Sequence, residues 1–176
     1  MKFEPTPLPG AFVVNLDRME DERGFFARTF CHEEFAANGM DTDFAQSSVS
    51  FNKREGTLRG MHFQKKPHEE TKLVRCTMGA IYDVIVDLRP DSPTVTRWFG
   101  LELSAANRKA LYVPKGFAHG FITLNDESEV LYQISAEFRP ESAAGVRWND
   151  PAFAIEWPVE AVVMSGRDRS YPDYQA

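Results

Sequence analysis

Apolar positions along this chain recur in short runs, with no long helical stripe. The segments "AFVVNLD", "GFFARTF", "TLRGMHFQ", "KLVRCTM", "AIYDVIVDLR", "TRWFGLELS", "KALYVP", "FITL" and "EVLYQIS" are rich in β-branched and aromatic residues. Asp, Gly, Pro and Asn punctuate them, as in "RPDSPT", "SAANRK", "VPKG" and "NDES". That pattern predicts strands joined by tight turns. One stretch, "HEEFAANG", reads as a helix, with acidic residues first and a glycine close behind. The expected fold is all-β, a jelly roll with one or a few short helices, whose sheets leave an open mouth where inward polar side chains form a site. No repeat, low-complexity tract or linker interrupts the chain, which predicts one domain over residues 1–176.

Alternation inside the strands sorts the polar residues. In "EVLYQIS" it sets Tyr132 on one face with Val130 and Ile134, so the hydroxyl is directed inward. In "KLVRCTM" it sets Lys72 with Val74 and Cys76, and a lysine there needs a partner or an exit to the surface. Asp83 and Asp87 share a face with Ile81 and Ile85, so each carboxylate needs a cationic partner. Arg59 and His62 are three residues apart, and a regular strand sends them to opposite faces. If both serve one site the strand breaks its alternation, and Gly60 is where a bulge fits.

Composition narrows the function classes. The 176 residues suffice for a sizeable core, and 43% hydrophobic with 26% charged residues is ordinary for a globular protein. A net charge of -6 opposes a nucleic-acid partner yet permits one anionic small molecule held by local arginines. No apolar run is long enough to span a bilayer and the first residues lack a signal-peptide core, so a cytoplasmic location without membrane attachment is expected. Cys31 and Cys76 lack metal or redox spacing and read as reduced thiols.

Two glycine-flanked histidines carry the candidate chemistry. His62 lies in "GTLRGMHFQ", and His119 follows the Pro114–Gly116 turn in "VPKGFAHGF". The second segment resembles the second half of the metal-binding cupin motif, with Thr123 where Asn is usual. The first half has Gln64 in place of its second histidine, and an amide is a poor substitute ligand. His62, His119 and Glu69 or Glu70 would make a two-histidine, one-carboxylate site. Without a metal, a histidine is suited to acid–base work. Removing a proton beside a ketone then needs a nearby cation for the enolate, as Lys72 offers, and inversion needs an acid on the other face, as Tyr132 offers.

The ordered set "DERGFF", "GTLRGMHFQ", "KLVRC", "DVIVDLR", "SPT", "LSAANR", "VPKGFAHGF", "RWNDP" and "IEWP" resembles the dTDP-4-dehydrorhamnose 3,5-epimerase family of the cupin superfamily from about Asp21 to Asp168. The resemblance implies a cupin-like jelly roll and an isomerase needing no cofactor and no metal. It would invert carbons 3 and 5 of dTDP-4-dehydro-6-deoxy-D-glucose in deoxysugar biosynthesis for surface polysaccharide. It implies His62 as base, paired with Asp168, with Lys72 at the enolate oxygen and Tyr132 as the acid at carbon 5. His119, with Asp83 behind it, would line the sugar pocket. Arg23 and Arg59 would hold the diphosphate, Phe26 would bind substrate, and Arg28, Gln46 and Ser48 would lie around the nucleoside. The expected partner is a nucleotide-diphospho-sugar, bound by a homodimer that exchanges N-terminal strands.

The chain departs from the family pattern around the nucleoside. Arg28 stands where an acidic residue is usual, Ser47 and Ser48 follow Gln46 where Asp-Asn is frequent, and Glu137 and Phe138 replace a pair of tyrosines. A CDP- or GDP-linked 4-keto sugar, or inversion at one carbon, is therefore the alternative substrate reading. A non-catalytic sugar-binding protein is the alternative of a different class.

Overall fold

The computed structural model describes residues 1–175. Fourteen strands run in chain order as β1 (Lys2–Pro5), β2 (Phe12–Asn15), β3 (Met19–Asp21), β4 (Gly24–Phe26), β5 (Gln46–Asn52), β6 (Thr57–Gln64) and β7 (Lys72–Met78). They continue as β8 (Ala80–Asp87), β9 (Trp98–Ser104), β10 (Ala110–Val113), β11 (Phe117–Thr123), β12 (Ser128–Ile134), β13 (Ala143–Gly145) and β14 (Val163–Met164). Two short helices, α1 (His32–Ala37) and α2 (Gly166–Arg169), complete the set.

The strands form two facing sheets. The first has the order β1-β2-β10-β7-β12-β5, and the second β13-β6-β11-β8-β9, with β14 parallel to the start of β6. Both sheets draw strands from distant parts of the sequence, as a jelly roll requires. β3 and β4 stand apart as a two-stranded hairpin.

Period-two alternation builds the core between the sheets. Val74, Cys76, Leu111 and Val130 from the first sheet meet Ile81, Ile85, Phe117 and Phe121 from the second. The outer face of the first sheet is covered by α1, whose Phe35 is fully buried among Val14, Leu73 and Tyr112. Burying that one ring contributes on the order of 2 kcal/mol. The outer face of the second sheet is covered by the segment after β13, through Phe153 and Trp157.

Two expectations needed correction. "GFFARTF" is a strand only over Gly24–Phe26, because Phe30 leaves the ladder to pack on Phe35 and Phe44. The strand expected at "FITL" begins earlier, at Phe117, and so includes His119. The two inward aspartates find their partners. Asp87 is bound by Arg89, Ser92 and Thr94, and Asp83 by His119. Cys31 and Cys76 are both free thiols. Among the described residues, no helix is long and apolar enough to cross a membrane.

Candidate active site

A cavity of about 560 Å³ opens between the sheets, within the usual range for a small-molecule site. β6 supplies Arg59 and His62, and their shared access depends on a break in the strand. The β6–β11 register shifts between the His119–His62 pair and the Phe121–Arg59 pair. Gly60 permits that break: its φ is 144°, and a Cβ there would lie 2.6 Å from the Gly120 Cα. Gly120 is equally constrained, since its own Cβ would lie 2.7 Å from the Arg59 carbonyl oxygen. Any side chain at either glycine would push the two strands apart.

His62 Nε2 lies 2.7 Å from Asp168 Oδ1. The imidazole side chain is 40% exposed to the cavity, while the carboxylate is 5% exposed. α2 carries Asp168, with the Ser165 side chain capping the helix by accepting from the Asp168 backbone N–H. The Gly60 N–H donates to the other carboxylate oxygen at 3.2 Å. Burial would raise the Asp168 pKa. The His62 bond and charge, with help from Gly60 and Ser165, outweigh burial and hold it below the ordinary value. The arrangement is an oriented imidazole with Nε2 committed to a carboxylate, leaving Nδ1 for proton transfer.

The facing sheet brings Lys72 and Tyr132. Lys72 is nearly buried, with Nζ 3.0 Å from Glu70 Oε1 and 3.4 Å from the His62 carbonyl oxygen. Gln64 explains its own presence in the motif: its Nε2 donates to Glu70 Oε2 at 2.9 Å. Its Oε1 accepts from the Arg139 N–H at 2.6 Å. The amide thus braces the carboxylate that holds the lysine. Among the described residues, no group of three or more His, Cys, Asp or Glu side chains is placed to hold a metal ion.

Tyr132 packs edge-on to His119, with ring centroids 5.9 Å apart. Burial, and then the Asp83 charge, raise its pKa well above the ordinary tyrosine value, opposed by Arg59. The phenol therefore stays protonated at neutral pH. His119 Nε2 is tied to Asp83 Oδ1 at 2.8 Å, and both side chains are buried.

Gln46, Ser48 and Arg59 line the cavity beside these groups. Asn52 Oδ1 accepts from Arg59 Nε at 2.7 Å, which orients the guanidinium. Arg23, Phe26 and Arg28 are not brought there by this chain's own fold. Arg23 is 85% exposed and paired with Asp21 on the β3–β4 hairpin. Phe26 is 70% exposed on the same hairpin, and Arg28 is paired with Glu34 of α1. Sequence reasoning missed the pairing of Glu70 with Lys72, although two-residue spacing before a strand lysine hints at it. It also missed Arg167, which lines the cavity from α2.

A histidine on one sheet with an aspartate of α2 beside it, facing a lysine and a protonated phenol on the other sheet, makes a jelly-roll site suited to proton transfer. The comparisons with known proteins agree. The family model for dTDP-4-dehydrorhamnose 3,5-epimerase matches residues 5–176. The dTDP-4-dehydrorhamnose 3,5-epimerase of Methanothermobacter thermautotrophicus is 42% identical over 174 residues, covering 97% of this chain and 92% of that protein. The crystal structure of the Bacillus anthracis enzyme with TDP and PPi bound superposes with a TM-score of 0.95 at 43% identity, covering 98% of this chain and 99% of that one. A Legionella pneumophila dTDP-6-deoxy-D-glucose-3,5-epimerase in complex with dTDP-4-keto-L-rhamnose gives a TM-score of 0.90 at 32% identity, covering 99% of each chain. The chain belongs to the dTDP-4-dehydrorhamnose 3,5-epimerase family, whose members are isomerases.

Proposed function

We propose that this protein inverts carbons 3 and 5 of dTDP-4-dehydro-6-deoxy-D-glucose, giving dTDP-4-dehydro-L-rhamnose. The observation that carries this reading is the distribution of groups across the cavity. His62 sits on β6 of one sheet, and Lys72 and Tyr132 sit on β7 and β12 of the other. In the proposed reaction, His62 takes the proton from the carbon beside the ketone as the C–H bond breaks. Its electron pair moves to the oxygen at carbon 4, giving an enolate. Asp168 stabilises the imidazolium, and the Lys72 ammonium faces the developing oxyanion. At carbon 5 the enolate collapses by taking the Tyr132 proton on the opposite face. Solvent then returns a proton to the phenolate and removes one from His62.

Arg59 would hold the diphosphate, where a planar guanidinium suits phosphate oxygens. His119, Gln46 and Ser48 would contact the sugar and nucleoside. Arg23, Phe26 and Arg28 enter this reading from a second copy of the chain, in a homodimer that exchanges N-terminal strands. The exposure of Phe25 and Phe26 on the free β3–β4 hairpin supports that assembly. Sheets built from strands distant in the sequence support one domain over residues 1–176.

Incubation in deuterated water with dTDP-, CDP- and GDP-linked 4-keto-6-deoxyhexoses tests the reading. Deuterium at carbons 3 and 5 of the dTDP sugar, with inversion, is expected. A stronger response with the CDP or GDP sugar would reassign the nucleobase, and no exchange on any substrate would refute the enzyme reading.

A further inference from the structure

Tyr171, two residues past α2, has no role in the chemistry above. Its ring centroid lies 6.1 Å from that of His62, with the planes at 67°, an edge-to-face contact of the kind aromatic pairs prefer. Its other side rests on bare backbone. A Cβ at Gly145 would lie 2.3 Å from the Tyr171 Cζ. Gly145 is the register partner of His62 across β13 and β6. The missing side chain thus opens a slot beside the base, and the phenol ring fills it.

The need for such a wedge follows from how Asp168 is held. α2 is a single turn of four residues, too short to be stable by itself. Before it, β14 pairs with Thr57 and Leu58 at the start of β6. After it, Tyr171 packs on Gly145, and Asp173 pairs with Arg147 at 2.6 Å. The Arg167 guanidinium adds a contact 5.8 Å from the Tyr171 ring centroid.

We propose that Tyr171 is a positioning residue for the His62–Asp168 dyad: wedged between Gly145 and the edge of His62, its ring fixes where α2 sits and keeps Asp168 on His62 Nε2. The proposal rests on the reading of His62 as the base. Tyr171 is not among the residues lining the cavity, so its loss should act on turnover and leave substrate binding alone. A misplacement on the order of 1 Å can cost about 100-fold in rate.

The test is steady-state epimerisation of dTDP-4-dehydro-6-deoxy-D-glucose by Tyr171→Phe, Tyr171→Ala, Asp168→Asn and the Tyr171→Ala/Asp168→Asn pair, with His62→Ala alongside. Tyr171→Phe should behave as the parent, since among the described residues the buried hydroxyl finds no hydrogen-bond partner. Tyr171→Ala should lower kcat roughly 10- to 100-fold and leave KM within about 2-fold. In the Asp168→Asn background the same change should cost less than about 2-fold, because its target is already gone. A Tyr171→Ala enzyme with parental kcat, or one losing the same factor in both backgrounds, would overturn the proposal. If Tyr171→Ala does not fold, Tyr171→Leu enters the same cycle with the same criteria. An active His62→Ala enzyme would remove the base and this proposal with it, whereas inactive His62→Ala beside unimpaired Tyr171→Ala would remove only the positioning role.

Discussion

Replacing Tyr132 with Phe separates proton removal from inversion. The change deletes one hydroxyl and keeps the ring that packs against His119 and the inter-sheet core. Among the described residues, burial and the charges of Asp83 and Arg59 account for the shifted phenol, with no hydrogen bond to the hydroxyl contributing. No protein partner is orphaned by its loss, and apolar volume is nearly conserved, so stability should change by less than about 1 kcal/mol. The kinetic effect should be far larger. Losing a positioned general acid typically costs ~10²–10⁴-fold, or about 3–5 kcal/mol of barrier. His62 lies on the other sheet and should keep its 2.7 Å contact with Asp168 of α2. In deuterated water the variant should therefore still exchange the hydrogen at carbon 5 with retention, while the inverted product disappears. Proton NMR of the sugar ring distinguishes the two by coupling constants, and urea denaturation checks the fold. Inversion at carbon 5 at the parental rate would exclude Tyr132 as the acid. Loss of both exchange and inversion would instead place it with the base.

His62→Ala should abolish exchange at both carbons by ~10²–10⁴-fold, read by the same NMR assay; near-parental exchange would send the search for the base elsewhere, His119 first. Activity should survive prolonged chelation and show no gain from added zinc, iron or manganese, because the Gln64 amide braces Glu70 where a ligand would stand; elemental analysis with chelator loss and metal rescue would show the opposite. Asp87 is buried; burial opposes its ionisation, but Arg89, Ser92 and Thr94 lower its pKa from 3.8 to about 2. Its folded pKa is depressed, so its contribution of roughly 2 kcal/mol is present above the unfolded value and lost as pH falls from about 4 through about 2. Urea midpoints at pH 5, 3 and 2 should show that loss in the parent and not in Asp87→Asn; identical pH slopes would refute the assignment.

The parts of the fold visible in the sequence are those whose apolar face is the buried one. β7, β8 and β12 alternate in the expected sense, and their inward residues are the core. β5 inverts that sense: Gln46, Ser48 and Ser50 line the cavity, while Val49, which also borders it, and Phe51 remain exposed. A strand that serves a polar site therefore lacks the ordinary signature, and "QSSVSFN" reads as loop. β14 and α2 are too short for any period to register. Within the site, the Gly60 break was readable because Arg59 and His62 stood at incompatible spacing. Asp168 was not readable from pattern, since a contact across 106 residues depends on the whole roll. It came from family resemblance. Arg23, Phe26 and Arg28 lie outside this chain's cavity, on or just after a hairpin whose strand pattern does not say what the hairpin packs against.

The back-to-back glycines of β6 and β11 bear on how this scaffold diversifies. Gly60 and Gly120 each exclude a side chain from the other strand's backbone, so a replacement at one cannot be compensated by a replacement at the other. The strand frame that carries His62 and His119 is thereby closed to stepwise drift. Ser48 and the hairpin residues, being exposed, are under no such mutual veto. On the proposed reading, one nucleoside carrier could be exchanged for another through single steps at exposed positions such as Ser48, while the strands that carry His62 and His119 stayed fixed by two residues that have no side chain at all.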